Sequence, residues 1–349
     1  MSIFQSLVKK EALHIVRDRR TMVITLLIPL VLLLLFGFAI STEVNDVRIA
    51  AVVDTHTDRT REILERLQVN DYFSFRGLAS AGEVESLLRT GEIDAALFLR
   101  TDNGNLSYQI MTDASDVPTA QAMTGYIESV ISGGTLKSPT LTYTLYNPQM
   151  KSAYNFVPGI MGMIFILICA IMTSVSIVRE KETGSMDLLL VSPVKSFTII
   201  SGKLVPYFLL SCVILTVMLL IAYTVLGLPL SGSIFSVIAM SLLYITLSLS
   251  IGLLVSTIAD TQLTALIVSA VAFMLPVIML SGMIFPIDNM PAVLQWISCV
   301  IPARWYIEAM RKLMIQQLDM GYVISEVIIL LSMTVALLTL SVKKFHSAK

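Results

Sequence analysis

Apolar residues in this chain fall into long unbroken runs, not into the short alternations of a soluble fold. About 20 consecutive apolar residues suffice to cross roughly 30 Å of bilayer hydrocarbon. Six stretches meet that requirement: Thr21–Ser41, Val157–Val178, Leu204–Leu226, Ser233–Ile258, Thr264–Ile284 and Tyr322–Val342. The first five contain no Asp, Glu, Lys or Arg. The sixth carries only Glu326, near one end, where it reads as a solvated helix terminus. The pattern predicts an α-helical integral membrane protein with about six transmembrane helices. The boundary between the fourth and fifth runs is the least distinct, because only the short link Ala259–Leu263 separates them.

Two stretches depart from this pattern. Residues 42–156 alternate between strand and helix signatures. Val47–Val53, Tyr72–Phe75, Ala95–Leu99 and Leu106–Met111 read as strands, the last two around a turn at Asn103–Gly104. Thr60–Leu67, Ala81–Thr90 and Ala120–Ile131 carry helical spacing. About 110 residues can hold one small α/β domain with its own core, inserted between the first and second spans and placed outside the cytoplasm. The second departure is 285–321, broken by Pro286, Pro291 and Pro302 and holding Trp296, Trp305 and Tyr306. Aromatic residues favour the membrane–water interface, so this segment reads as two short helices that re-enter or lie on the outer leaflet.

Residues 1–20 precede the first span. Ile3, Phe4, Leu7, Val8, Ala12, Ile15 and Val16 recur at helical spacing, with Lys9, Lys10, Glu11 and Arg17 between them. This predicts an amphipathic helix on the inner leaflet, ending in Arg17-Asp18-Arg19-Arg20; the plainer alternative is a charged lead into the membrane. The lead and the apolar run are both too long for a cleaved signal peptide, so the first run, 21–41, reads as an uncleaved anchor.

Charge then orients the chain. The N-terminal segment, the loop 179–203 and the tail 343–349 together carry twelve Lys and Arg, against three (Arg304, Arg311 and Lys312) in the short outer segments. Cationic segments stay in the cytoplasm, so both termini belong there. The three outer cations run against the trend.

Composition narrows the function. The chain is 55% hydrophobic and 14% charged, with a net charge of −1; an ordinary soluble domain is about 25% charged. Nucleic acid is therefore not an expected partner. Cys169, Cys212 and Cys299 read as small buried hydrophobes, not as a disulfide framework. His14, His56 and His346 form no metal motif, and no nucleophile elbow or phosphate loop is present. No catalytic residue and no metal site is expected. Ion-driven carriers keep ionisable groups within the membrane at a cost of about 2.5–3.5 kcal/mol each. These spans lack them, so the energy for any transport comes from elsewhere.

The loop after the second span is the most informative stretch. Arg179, Glu180, Lys181 and Glu182 form a charged cluster at the membrane exit; Thr183, Gly184 and Ser185 follow, and Met186, Leu189 and Leu190 share one helical face before Pro193. Such a short amphipathic helix suits a partner's groove. On the residue pattern alone, a surface connector that only fixes orientation fits equally well.

The whole chain resembles the permease subunit of ABC-type-2 exporters, in the branch with a large external domain after the first span. The resemblance rests on Arg17-Asp18-Arg19-Arg20 leading into a span with Pro29, on the strand Ile49–Asp54, on the Arg179–Pro193 loop, and on Leu280–Pro286 followed by Ile301–Tyr306. Asp187 and Ser185 stand where the family pattern has Glu and Thr. The resemblance implies that the loop couples the permease to a separate ATPase, two copies of which carry ATP and Mg, while this chain binds no cofactor. Glu180 and Glu182 would meet basic groups on that partner, and Met186 and Leu189 would fill an apolar slot. It also implies a second permease copy, identical or a close relative, in a bacterial inner membrane, and leaves room for a periplasmic adaptor. The cargo class would be a lipid, drug, peptide or other amphiphile moved out of the cytoplasm or inner leaflet. A membrane receptor sensing ligands through the external domain is the alternative, against which the short cytoplasmic segments count.

Overall fold

A computed structural model of the 349-residue chain describes residues 3–39, 47–55, 57–70, 72–102, 105–112, 117–132, 152–186, 194, 196–228 and 233–347, apart from a few side chains within them such as those of Arg19 and Arg20. The chain divides into two compact units, one of residues 1–40 with 153–349 and one of residues 41–152.

The first unit is helical. It contains α1 (Ile3–Arg17), α2 (Arg19–Ala39), α6 (Ser152–Glu182), α7 (Ser196–Thr224), α8 (Ile234–Ile258), α9 (Gln262–Leu280), α10 (Ala292–Ser298), α11 (Pro302–Met310) and α12 (Ile324–Ser347). Among the described residues five helices, α6 to α9 and α12, are long and apolar enough to cross a membrane; the apolar stretch Thr25–Phe36 within α2 is shorter. Their ends follow local chemistry. Ser233 caps α8 and Thr261 caps α9, each hydroxyl accepting the amide three residues on. Gly184, at φ 69°, closes the turn after α6 in the left-handed region that glycine tolerates.

The core of this unit gathers on α6 and α8. Gly252 of α8 lies against Ala170 and Thr173 of α6 so closely that a Cβ there would fall 2.7 Å from the Ala170 carbonyl oxygen. Small residues at such crossings let helices pack in lipid, where hydrophobicity alone does not drive association. Buried polar contacts add specificity. Ser174 of α6 meets Ser269 of α9 at 3.0 Å, and Cys169 meets Ser211 of α7 at 3.3 Å. The rings of Tyr244 and Tyr306 stack at 4.1 Å; Tyr244 donates to the Gly162 carbonyl, and Tyr306 bonds Ser241.

The expected pair of short helices in 285–321 is present as α10 and α11. A π-helical turn, Arg311–Ile315, follows directly, and a 3-10 turn at Met320–Val323 leads into α12.

The second unit holds β1 (Val47–Val53), α3 (Asp58–Val69), β2 (Phe73–Leu78), α4 (Val84–Arg89), β3 (Ala95–Asp102), β4 (Asn105–Thr112) and α5 (Val117–Ser132). The strand order is β2-β1-β3-β4, with β1 parallel to both neighbours and β4 antiparallel to β3. One face of the sheet packs Ile49, Leu97 and Leu99 against Ile63, Leu67 and Ile127 of α3 and α5. The other face packs Ala50, Val52 and Ala96 against Val84 and Ile93.

Candidate functional site

Three consecutive residues at the end of α6 hold four other helices. Glu180 takes Lys10 of α1 at 2.8 Å and Lys203 of α7 at 2.5 Å. Lys203 is 6% exposed, so this second pair is enclosed and geometrically exacting. Lys181 donates to the carbonyls of Ser256 and Ala259 at 2.5 and 3.3 Å, where α8 ends. A cation at that end complements the last carbonyls and the helix dipole. Glu182 accepts from the Gln262 backbone amide at 2.8 Å and from its side-chain amide, at the first residue of α9. A carboxylate there complements the opposite end of a dipole. One short acidic–basic run thus ties α6 to α1, α7, α8 and α9.

A second tie lies just inside the first. Glu11 of α1 is 5% exposed and accepts from Ser176 of α6 at 2.6 Å and from Tyr207 of α7 at 3.0 Å. The sequence pattern put Glu11 on the polar face of an interfacial helix; instead α1 turns it inward, and Leu7 meets Gly202 of α7. Arg17 and the apolar Ile3, Leu13 and Val16 remain exposed. Asp18 is the single residue between α1 and α2.

This geometry adds contacts within the chain to the expected picture of the loop. Glu180 and Glu182 are engaged within the chain, and Met186 is buried against Ile177, Ile200 and Leu253. Glu180 is half-buried and Met186 buried, whereas Glu182 stays exposed while it holds Gln262. The surface left at this corner is Arg179, Glu182, Thr183 and Gly184, with Ser185 half-buried and its hydroxyl donating to the Glu180 carbonyl. Asp187, Leu189, Leu190 and Pro193 lie outside the described residues.

At 285–321, Pro286 is exposed and Pro302 starts α11. Arg304 donates to the Gln295 carbonyl, Ser298 and Cys299, and its guanidinium lies 4.9 Å from the Trp305 ring. Trp305 donates to the Cys299 carbonyl. Glu326 is not a solvated helix end: it is 2% exposed and takes Lys312 at 2.6 Å. Lys312 also meets Glu308 at 3.2 Å. Burial works against the Lys312 charge, but its bonds to Glu326 and Glu308 outweigh it and hold its pKa above the ordinary lysine value.

No group of three or more His, Cys, Asp and Glu side chains that could hold a metal occurs among the described residues. A cleft of about 730 Å³ is lined mainly by apolar side chains, among them Ile200, Leu204, Phe208, Leu249, Leu338 and Val342, with Lys343 also in its wall.

The model of the ABC-2 family transporter protein matches residues 19–343. A probable multidrug ABC transporter permease, YbhS of Escherichia coli K12, is 30% identical over 329 residues, covering 88% of this chain and 87% of the relative. The probable multidrug ABC transporter permease YbhR of the same organism is 27% identical over 339 residues, 91% of each chain. ABC transporter G family member 20 of Dictyostelium discoideum is 30% identical over 184 residues, 52% of this chain but 25% of that protein.

Proposed function

The chain belongs to the ABC-2 family of transporter proteins, and from that premise we propose that it is the membrane permease of an ATP-driven exporter, moving an amphiphile out of the cytoplasm or inner leaflet. The observation that carries the reading is the charged end of α6, where Glu180, Lys181 and Glu182 join four further helices. A push delivered at that corner reaches α1, α7, α8 and α9 through single ion pairs or hydrogen bonds. A transporter without an energy source in its own spans needs such a point of entry.

In this reading a separate ATPase subunit, two copies per complex, binds ATP and Mg and docks at the exposed surface of Arg179, Glu182, Thr183 and Gly184. Six spans, with α2 as the first, leave both termini in the cytoplasm and place 42–156 outside. Two permeases form the working unit, and the largely uncovered apolar side of α9, with Leu263, Ile267 and Val271 exposed, offers a face for the second copy. The multidrug designation of the two bacterial relatives favours drug-like amphiphiles as cargo.

The test is reconstitution in liposomes with the cognate ATPase, screened against lipids and amphipathic drugs. ATP-dependent export of at least one class, with stimulated hydrolysis, supports the reading. An adjacent kinase in place of an ATPase, with no transport of any class, would return the protein to a sensing role.

A further inference from the structure

The three outer cations that run against the charge rule share one cleft. Arg304, Arg311 and Lys312 line a cavity of about 390 Å³ with Glu308, Gln316 and the Ser281–Gly282 turn. Lys312 lies between Glu308 and Glu326, so its charge is matched. Arg304 and Arg311 have no carboxylate within ion-pair distance among the described residues. Arg311 donates to the Gly282 carbonyl at 2.8 Å, and Arg304 to the neutral acceptors of α10 and the turn after it. The Nε atoms of both arginines are buried with no hydrogen-bond partner. Burial also draws the Arg311 pKa below its ordinary value. Arg311 sits on a π-helical turn, a rare geometry that recurs at functional sites.

Arg304 and Arg311 are half-buried, and a polar atom buried without a partner is costly. Two guanidiniums short of acceptors, in one cleft that also holds a matched lysine, need an anion with several oxygens. A guanidinium fork fits phosphate in a bidentate manner.

We propose that the cleft formed by Arg304, Arg311 and the end of α9 binds a phosphate group, presented by a phospholipid headgroup or by free phosphate. This goes beyond the export reading, since binding needs neither the ATPase nor transport. It also accounts for cations on the outer side, because these two arginines would serve a ligand and not orientation.

The protein supplies its own reporter. Trp296 and Trp305 are the only tryptophans. Trp296 is exposed, so Trp296→Phe leaves Trp305, beside Arg304, as the sole emitter. The full chain in detergent is titrated with inorganic phosphate and with a short-chain phosphatidic acid, by Trp305 fluorescence and by calorimetry. Chloride at matched ionic strength is the control. Saturable binding of either phosphate form, absent with chloride, supports the proposal. Binding of the lipid alone assigns a membrane headgroup, and comparable binding of both assigns the phosphate itself. Arg311→Gln weakens binding at least about tenfold, the loss expected of one hydrogen bond to a charged group. If Arg311→Gln does not fold, Arg304→Lys carries the test: it keeps the charge, loses the fork and weakens binding several-fold. The proposal is overturned by absence of saturable binding in both measurements at millimolar ligand. It is equally overturned if a folded arginine variant binds as the parent does.

Discussion

Lys312 and Glu326 show how a single side chain decides the state of another. Glu326 is enclosed at the start of α12, and its charge is tolerable there because Lys312 and Ser325 donate to it at 2.6 and 2.8 Å. Removing one partner of such a pair strands a buried charge and costs about 3–5 kcal/mol. Lys312 is itself 27% exposed, and solvent screening places the cost near the lower end. Lys312→Ala should therefore lower the thermal unfolding midpoint in detergent, while Lys312→Met with Glu326→Leu should recover much of the loss. An unchanged midpoint in Lys312→Ala would remove the pair from any account of stability. The sequence did not disclose this contact. Glu326 stands near the start of an apolar run, where a solvated end is the ordinary reading, and its partner lies 14 positions away across a π turn and a 3-10 turn that no periodicity announces. Glu11 was hidden for the same reason: its hydrogen-bond partner Tyr207 is 196 residues distant.

At the scale of elements, much more was legible. Long apolar runs show in composition alone, so α6 to α9 and α12 were readable, and β1 spans the expected Val47–Val53 because a β-branched run bounded by polar residues has few other solutions. Proline and aromatic placement similarly announced α10 and α11. What composition cannot reveal is which helices touch. Gly252 is an example, since a glycine in an apolar helix gives no partner. In the structure it marks the crossing of α8 on α6, where a Cβ would also come within 2.9 Å of the Ala170 Cα. Backbone cannot yield as a side chain can, so Gly252→Leu should force the two helices apart. Overpacking of this kind costs about 1–3 kcal/mol or more. The matched control is Gly125→Ala in α5, where a Cβ meets nothing within 4 Å and the helix should gain about 0.5–1 kcal/mol. Thermal unfolding of both variants measures the contrast. Equal midpoints would mean that α6 and α8 are not closely packed in the membrane.

At the scale of the whole molecule, the question is what the Arg179–Met186 corner does, because the sequence pattern left docking helix and plain connector equally open. Neither reading anticipated that the charges would be spent on the chain's own helices. The two roles now separate by residue. Thr183 is exposed, and its hydroxyl bonds within its own turn, to Arg179, Glu180 and Ser185. Glu182 is exposed too, but it holds the start of α9. Met186 is 3% exposed in a cluster with Ile177, Ile200 and Leu253. A bulky Thr183→Trp should obstruct ATPase docking and abolish co-purification while leaving the unfolding midpoint unchanged. Glu182→Gln removes the carboxylate from the α9 terminus, so the ATPase should still bind while hydrolysis no longer responds to cargo. Met186→Ala should act through stability instead, because truncating a buried methionine costs about 2–5 kcal/mol; the ATPase should co-purify with whatever fraction remains folded. Co-purification, cargo-stimulated hydrolysis and unfolding midpoint, measured on all three variants, give three distinct signatures. If Glu182→Gln retained full stimulation and Thr183→Trp retained full association, this corner would be a structural clamp alone, and the site where ATP-driven motion enters the permease would lie elsewhere.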